Sequence, residues 1–351
     1  MSAAPGGVDL VLGTGGLGTG TLLALVGSHT LGREESRAVR ALDQQDRCKA
    51  HIILHYVRRL TDPAVVVMPF GRVGADPDGE LVLRELAAEG MDLSAVSTDP
   101  IHRTLTSVCF SYPDGTGGNL TLTDSASDAV DVDDVEALAP ILRGAGPRGI
   151  VLAAPEVPLD AREALLRQAG EHGLLRFASF LSGEMADVLA RGLLDLVDIL
   201  SINLDEAATL AGLTPDDQAD PAAVAQTAAA ELRLRAPRLR FCLTAGRHGS
   251  WLWDGTELHH QSPLIVAPLN TAGAGDAHLA GLIVGATAGL SLVESNRLAT
   301  AISAMSVLSA DTIHTGIDRA SLLAFVDATA PALLDTSIRE ALSALDKEKI
   351  R

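Results

Sequence analysis

NTAGAGDAHLAG, residues 270–281, carries the densest chemical information in the chain, and the other segments are best read outward from it. Small residues at 272–275 lead into an apolar run. Gly273 and Gly275 have no Cβ, so backbone N–H groups there can turn toward one point. A helix starting at this loop adds the positive potential of its N-terminus, and loop and helix together make an anion hole suited to phosphate. Asp276 stands at the same spot. A carboxylate beside a phosphate cradle repels the ligand unless the chemistry needs it. The chemistry that needs it is acceptance of a proton from an attacking hydroxyl during phosphoryl transfer. Spacing alone equally admits a plain helix start with an acid in its first turn.

On either side of this stretch, short apolar runs alternate with helical patterns. Residues 8–12 (VDLVL), 65–68, 149–153, 196–202 and 240–244 read as buried strands. Residues 78–89, 159–172, 205–212, 221–234 and 277–289 carry apolar positions at helical spacing. Strands alternating with helices predict a mainly parallel sheet covered on both faces. Two segments break the rhythm. Residues 14–50 begin glycine-rich and turn strongly charged, with 33–47 reading as a polar helix. Residues 102–124 alternate around a PDGTGG turn and predict an antiparallel hairpin. There is no internal repeat, so one large domain with a small β appendage is expected.

The chain has 351 residues, 47% of them hydrophobic and 21% charged, which excludes a mainly disordered polypeptide. A net charge of −18 opposes binding to nucleic acid through overall charge. Cys48, Cys109 and Cys242 are too few and too scattered for a disulfide framework or a CxxC metal site. The longest apolar run, 279–293, is short for a membrane span and holds three glycines. No basic segment precedes the first apolar stretch, so a cytoplasmic protein without a membrane partner is expected. Lysine occurs only at Lys49, Lys347 and Lys349.

TAGAGDAHLAG resembles the C-terminal signature of the PfkB, or ribokinase-like, family of ATP-dependent kinases. FGRVGADPDGE (70–80) is similar to that family's GxVGxDxxGE segment, and the following LVLRELAAEGMDLSAV to its helix and turn. NLDE (203–206) resembles the NxxE motif, and TAGRHG (244–249) the TxGxxG segment on the nucleotide side. The similarity covers roughly residues 62–315, with the motifs in the family's order. It implies a three-layer α/β/α ribokinase-like fold with a mainly parallel central sheet. A small lid from 14–50 and 101–125 would be inserted in one domain spanning 1–351. It implies transfer of the γ-phosphoryl of Mg·ATP to a hydroxyl of a sugar or sugar derivative. Asp276 would be the base, and the backbone of Ala272, Gly273, Ala274 and Gly275 the anion hole, with Thr271 shaping the loop. Asn203 and Glu206 would serve Mg²⁺ through water, although by themselves they read as a helix cap. Thr244 and Gly246 would lie near the nucleotide phosphates, and Gly249 would mark a tight turn. Residues 299–310 would flank adenine or simply pack closely, and DTIHTG (311–316) would serve the nucleotide or a monovalent cation. A homodimer through the lid is expected in the family.

The resemblance weakens over 14–61. The family's acid after the first strand, which binds acceptor hydroxyls, is absent from 15–20, and only Lys49, Ala50 and His51 remain of a GGKGAN-like segment. Candidate acceptor contacts are therefore Gly15, Gly16, His29, Glu34, Arg37, Lys49, His51 and Arg103. The guanidinium groups of Arg33, Arg37, Arg40, Arg47, Arg72 and Arg103 suit an acidic or phosphorylated sugar, or else form a solvated, ion-paired face. Asn270 stands where many relatives have Asp, which leaves monovalent-cation dependence open. Trp251 and Trp253 are expected to pack rather than to stack on a base. Three other readings remain. One is a nucleoside kinase of the same fold. Another is an NAD-binding oxidoreductase built on GTGGLG, from Gly13 to Gly18, with Glu34 and Glu35 downstream. The third is a non-catalytic nucleotide sensor.

Overall fold

A computed structural model of the chain describes residues 7–344 except 28, 115–116 and 214–219. Among them, the strands are β1 (Leu10–Thr14), β2 (Gly18–Leu25), β3 (Val39–Arg47), β4 (Val66–Gly74), β5 (Val96–Asp99), β6 (Leu105–Ser111), β7 (Gly117–Thr121), β8 (Gly149–Ala153), β9 (Leu175–Ala178), β10 (Ile199–Asn203), β11 (Arg240–Thr244), β12 (Ser250–Trp253) and β13 (Leu258–Gln261). Nine of these form one sheet in the order β13-β12-β11-β10-β9-β8-β1-β4-β5. It is parallel from β5 to β11, and only β12 is reversed, pairing antiparallel with both β11 and β13. Both central strands, β1 and β8, are buried along their whole length, as continuous apolar runs in a two-face-covered sheet must be.

Alternate residues of each strand feed opposite cores. Val11, Ile150 and Leu152 pack with helices α1 (Lys49–Leu60), α2 (Pro77–Ala88), α9 (Ala274–Thr287), α10 (Leu292–Ser306), α11 (Arg319–Thr329) and α12 (Thr336–Ala344). Leu10, Leu12 and Val151 pack on the other face with α3 (Val132–Glu136), α4 (Ala139–Ala145) and α5 (Leu159–Glu171). Farther along that face lie α6 (Met185–Ala190), α7 (Leu204–Leu210) and α8 (Pro221–Arg235). The three-layer α/β/α reading of the sequence therefore holds, and Trp251 and Trp253 are buried in the α6–α8 core. No helix among the described residues is long and apolar enough to cross a membrane.

A second sheet, β3-β2-β6-β7, stands on the first as a lid. β6 and β7 form the expected hairpin; the central turn residues, 115–116, lie outside the described residues. The segment 33–47 corrects the sequence reading. It is not a polar helix: its second half is β3, an edge strand exposed over most of its length and paired with β2 across an irregularity at Thr21/Leu23. Charges at helical spacing there reflect a solvated lid edge, where polarity is no guide to period. GTGGLG is corrected as well. It leads from β1 into the lid strand β2, not into a helix, so the strand–turn–helix needed for a dinucleotide site is missing.

Candidate active site

The loop before α9 is held by its own side chains. Asn270 accepts from Ala272 N–H (3.0 Å) and donates to the Ala310 carbonyl (2.9 Å), so its amide staples the loop and takes the Ala272 N–H out of the expected anion hole. Gly273 caps α9 with φ +78°, and a Cβ there would come within 2.9 Å of the Thr312 carbonyl oxygen. Only glycine fits that turn. Ala274 N–H turns back to the Thr271 carbonyl (3.3 Å), while the first-turn N–H groups of Gly275 and Asp276 have no intrahelical partner and form a cradle. Asp276 sits in that turn with its side chain 16% exposed, and its Oδ1 lies 3.7 Å from Lys49 Nζ. Burial raises the Asp276 pKa against the pull of Lys49. In return, Asp276 above all pushes the Lys49 pKa further above the lysine range, against burial. Lys49, the only lysine among the described residues, opens α1.

Two acids that the sequence reading passed over stand on the lid side of Lys49. Glu156 follows the carboxyl end of β8 with φ +74°, a region costly for a residue with a side chain. Its Oε2 accepts from Lys49 N–H (3.2 Å), and a Cβ on Gly16 would overlap that oxygen. Burial raises its pKa to about 7, against Lys49. Asp46, on β3, is register partner to Gly20 on β2, and its carboxylate lies flush against that glycine. It accepts from Ser107 Oγ (2.9 Å) and Cys109 Sγ (3.4 Å). An acid from the neighbouring strand thus stands against the glycine-rich segment that has none of its own. The position of Glu156, at a strand's carboxyl end, was the available signal for it.

Beyond Lys49 and Asp276 opens a cavity of about 670 Å³. Asn203, Glu206, Thr244, Gly246 and Gly249 line one wall, and Thr271 with Gly273–Asp276 another. Asn203 and Glu206 form a reciprocal cap on α7. Asn203 Oδ1 accepts from Glu206 N–H (2.9 Å), and Glu206 Oε2 accepts from Asn203 N–H (2.8 Å). Burial raises the Glu206 pKa to about 7, opposed by that backbone bond and by Lys49. Glu206 lines the cavity with Oε2 taken by the cap, and its other oxygen suits a hydrated divalent ion brought by phosphates. No group of three or more His, Cys, Asp or Glu among the described residues could hold a metal by itself. Thr300, Ser303, Ala304 and Val307 line the far wall, while Ala299 and Ala301 of the same helix are fully buried in packing.

Several candidates lie elsewhere. His51 does not reach the cavity: it is buried against Glu89 (3.3 Å), which also takes His55 (2.9 Å). Arg103 does not line the cavity either; it bridges to Ser125 at the base of the lid. Arg37 is spent on the carbonyls of Val26, Gly27 and His29, and His29 on Glu35. Arg47 chelates Glu85 (2.7 and 2.5 Å), and Arg72 pairs with Asp134 (2.6 Å). Asp311 accepts from Gln45 N–H (2.8 Å) and Thr312 from Arg47 N–H (3.0 Å), tying the lid to the end of α10. In the GADPDGE segment, Asp76 caps α2 through Gly79 N–H and holds Thr104 of the lid, so its role is structural.

Comparison with known proteins agrees with this geometry. Residues 58–319 match the model of the pfkB family of carbohydrate kinases. The chain is 28% identical over 236 residues to a fructokinase of Escherichia coli, covering 64% of this chain and 72% of that one. It is 37% identical over 65 residues to the fructoselysine 6-kinase of Shigella flexneri, which is 18% of this chain. The match spans only about a quarter of that relative's length. Among solved structures, ribokinase from Giardia lamblia superposes with a TM-score of 0.77 at 15% identity, over 92% of this chain and 99% of that one. Arabidopsis thaliana ribokinase complexed with ribose and ATP gives 0.71 at 22% identity, over 91% and 99%. At such identities the likeness is one of fold.

Proposed function

The chain belongs to the pfkB family of carbohydrate kinases, and on that premise we propose that it transfers the γ-phosphoryl group of ATP to a hydroxyl of a neutral sugar or sugar derivative. The observation that carries this reading is the placement of Asp276. A half-buried carboxylate stands in the first turn of α9, at the mouth of a large cavity, with Lys49 3.7 Å away. ATP would lie along the cavity, with its phosphates toward Thr244, Gly246 and the α9 cradle. The acceptor would lie between Lys49 and the lid. Asp276 takes the hydroxyl proton as the oxygen attacks the γ-phosphorus, the bond to the ADP oxygen breaks, and the proton stays on Asp276. The Gly273, Gly275 and Asp276 N–H groups and Lys49 stabilise charge that grows on the transferring group. Mg²⁺ entering with the nucleotide would neutralise the phosphates, and Glu206 and Asn203 would hold its waters.

The acceptor end favours a neutral ligand. Asp46, Glu156 and Asp276 face one lysine, and Arg37, Arg47 and Arg72 are spent on other partners. Carboxylates with open lone pairs suit hydroxyl donors and repel sugar acids and sugar phosphates. The name of one relative, fructokinase, points the same way. A homodimer through the lid belongs to this reading, since Leu120 on β7 is 63% exposed. Sedimentation of the full chain tests it, and a single monomeric species across micromolar concentrations contradicts it.

The test of function is ADP release from Mg·ATP with a panel of neutral sugars, sugar acids, sugar phosphates and nucleosides. Release stimulated by neutral sugars is the expected result. Stimulation by acidic acceptors alone contradicts the acceptor assignment, and no stimulation by any acceptor contradicts the kinase reading.

A further inference from the structure

β3 is the edge of the lid sheet, so every second backbone N–H along it points away from β2 and needs a partner from elsewhere. At the carboxyl end of β3 the segment after α10 supplies those partners. Gln45 N–H donates to Asp311 Oδ1 (2.8 Å), and Arg47 N–H donates to Thr312 Oγ1 (3.0 Å). Thr312 N–H donates back to the Gln45 carbonyl (3.1 Å). These bonds bracket Asp46, whose register partner on β2 is Gly20. Regular pairing with β2 covers only three residues here, Gln45, Asp46 and Arg47, before the irregularity at Thr21/Leu23. The other side of the same segment meets the loop before α9. The Ala310 carbonyl accepts from the Asn270 amide (2.9 Å), and the Thr312 carbonyl oxygen lies 2.9 Å from where a Cβ on Gly273 would stand. Residues 310–312 therefore form a strap, with the α9 turn on one side and Asp46 on the other. Burial, with the charge of Asp46 adding to it, raises the Asp276 pKa, so the strap joins two carboxylates that sense each other.

We propose that Asp311 is a positioning residue for the sugar: with Thr312 it fixes Asp46 relative to the α9 cradle and touches no substrate itself. This rests on the reading of Asp46 as an acceptor contact. A carboxylate that accepts from a backbone N–H makes a charge-assisted bond, which suits a short strand end held by few others. Arg47 closes the bracket from within, donating to the Asp46 carbonyl (2.9 Å) and to Gln45 Oε1 (2.9 Å). Without the strap, β3 keeps its pairing with β2 but frays at this end, and the acid carried there loses its place.

The test is a double-mutant cycle read on the sugar KM, using the neutral sugar that best stimulates ADP release. Asp311→Ala removes the accepting oxygen, whereas Asp311→Asn keeps one. The expected result is a sugar KM about tenfold higher for the Ala variant and within about twofold of wild type for the Asn variant. The KM for Mg·ATP should stay within about twofold in both, because the strap meets the α9 loop through backbone carbonyls that the substitutions leave in place. In a chain that already carries Asp46→Ala, adding Asp311→Ala should change the sugar KM by less than about twofold, since both act through one carboxylate. A sugar KM within about twofold of wild type in a folded Asp311→Ala variant overturns the proposal. An equal rise in both backgrounds also overturns it, and so does an unaltered KM for Asp46→Ala alone. A second measurement needs no variant to fold: in wild type, amide hydrogen exchange at Gln45 and Arg47 should slow by about tenfold or more at saturating sugar, because sugar held by Asp46 favours the strapped state. Exchange unmoved by sugar overturns the proposal. Wild type without any sugar-stimulated ADP release overturns the kinase reading instead, and this one with it.

Discussion

The start of α9 and the lid are built in opposite ways. The α9 cradle comes from one unbroken stretch, with Asn270, Gly273 and Asp276 fixing its loop, its turn and its carboxylate within seven residues. The end proposed for the acceptor is assembled from four distant segments: Gly16 after β1, Asp46 on β3, Ser107 on β6 and Glu156 after β8. Lys49 joins the two, pairing its ammonium with Asp276 and giving its backbone N–H to Glu156. On the proposed function, the chemistry of transfer is held by local backbone geometry and the choice of acceptor by tertiary pairing, which can change strand by strand without disturbing the cradle.

If the division is real, damage to the cradle should strike turnover and damage to the lid side should strike acceptor binding. The largest effect is expected for Asp276→Asn, with kcat down by roughly 10²–10⁴ and ATP affinity within a few-fold of wild type. Steady-state rates beside a binding titration check this, and retained turnover would remove Asp276 from its role. Next is Lys49→Met, with a loss in kcat of about 10² and incomplete rescue by Arg, whose planar fork does not replace a point charge. A change confined to KM would place Lys49 on the acceptor side alone.

Glu156→Gln should raise acceptor KM by about tenfold and leave ATP binding alone. It also carries a pH signature. The folded pKa of Glu156 is raised to about 7 from 4.5, so its contribution to stability is fully present below pH 4.5 and is lost as pH rises through 7. Wild type should therefore lose about 1–3 kcal/mol relative to the Gln variant between pH 4.5 and pH 8. Urea unfolding at both values measures the difference, and a gap that does not change with pH contradicts the raised pKa. The smallest effect is expected for Arg103→Ala, which should leave acceptor KM within about twofold, since Arg103 bridges to Ser125 and no ion pair or hydrogen bond among the described residues joins it to Asp46, Ser107, Glu156 or Lys49. A tenfold rise would put that arginine back in the acceptor site.

How much the sequence disclosed follows the same division. The order of strands and helices, the GAGD turn and the cap at Asn203 are local patterns, readable from neighbouring residues. β3 was misread as helix because an exposed lid edge has no buried face to impose a period of two on its residues. Asp46 escaped because it reaches Gly20 only through strand pairing, and Glu156 because its aim depends on a positive φ that no spacing rule announces. Arg47, Arg72 and His51 looked available as ligands because their partners, Glu85, Asp134 and Glu89, lie far along the chain.

The most direct test of the account follows the γ-phosphorus itself. ATP labelled there is incubated with wild-type protein, Mg²⁺ and a neutral sugar that stimulates ADP release, and the products are separated. The account predicts label on the sugar in a one-to-one ratio with ADP, and label appearing on the sugar at least about a hundredfold more slowly when the protein carries Asp276→Asn. Label released as inorganic phosphate at the same rate with or without the sugar would contradict it.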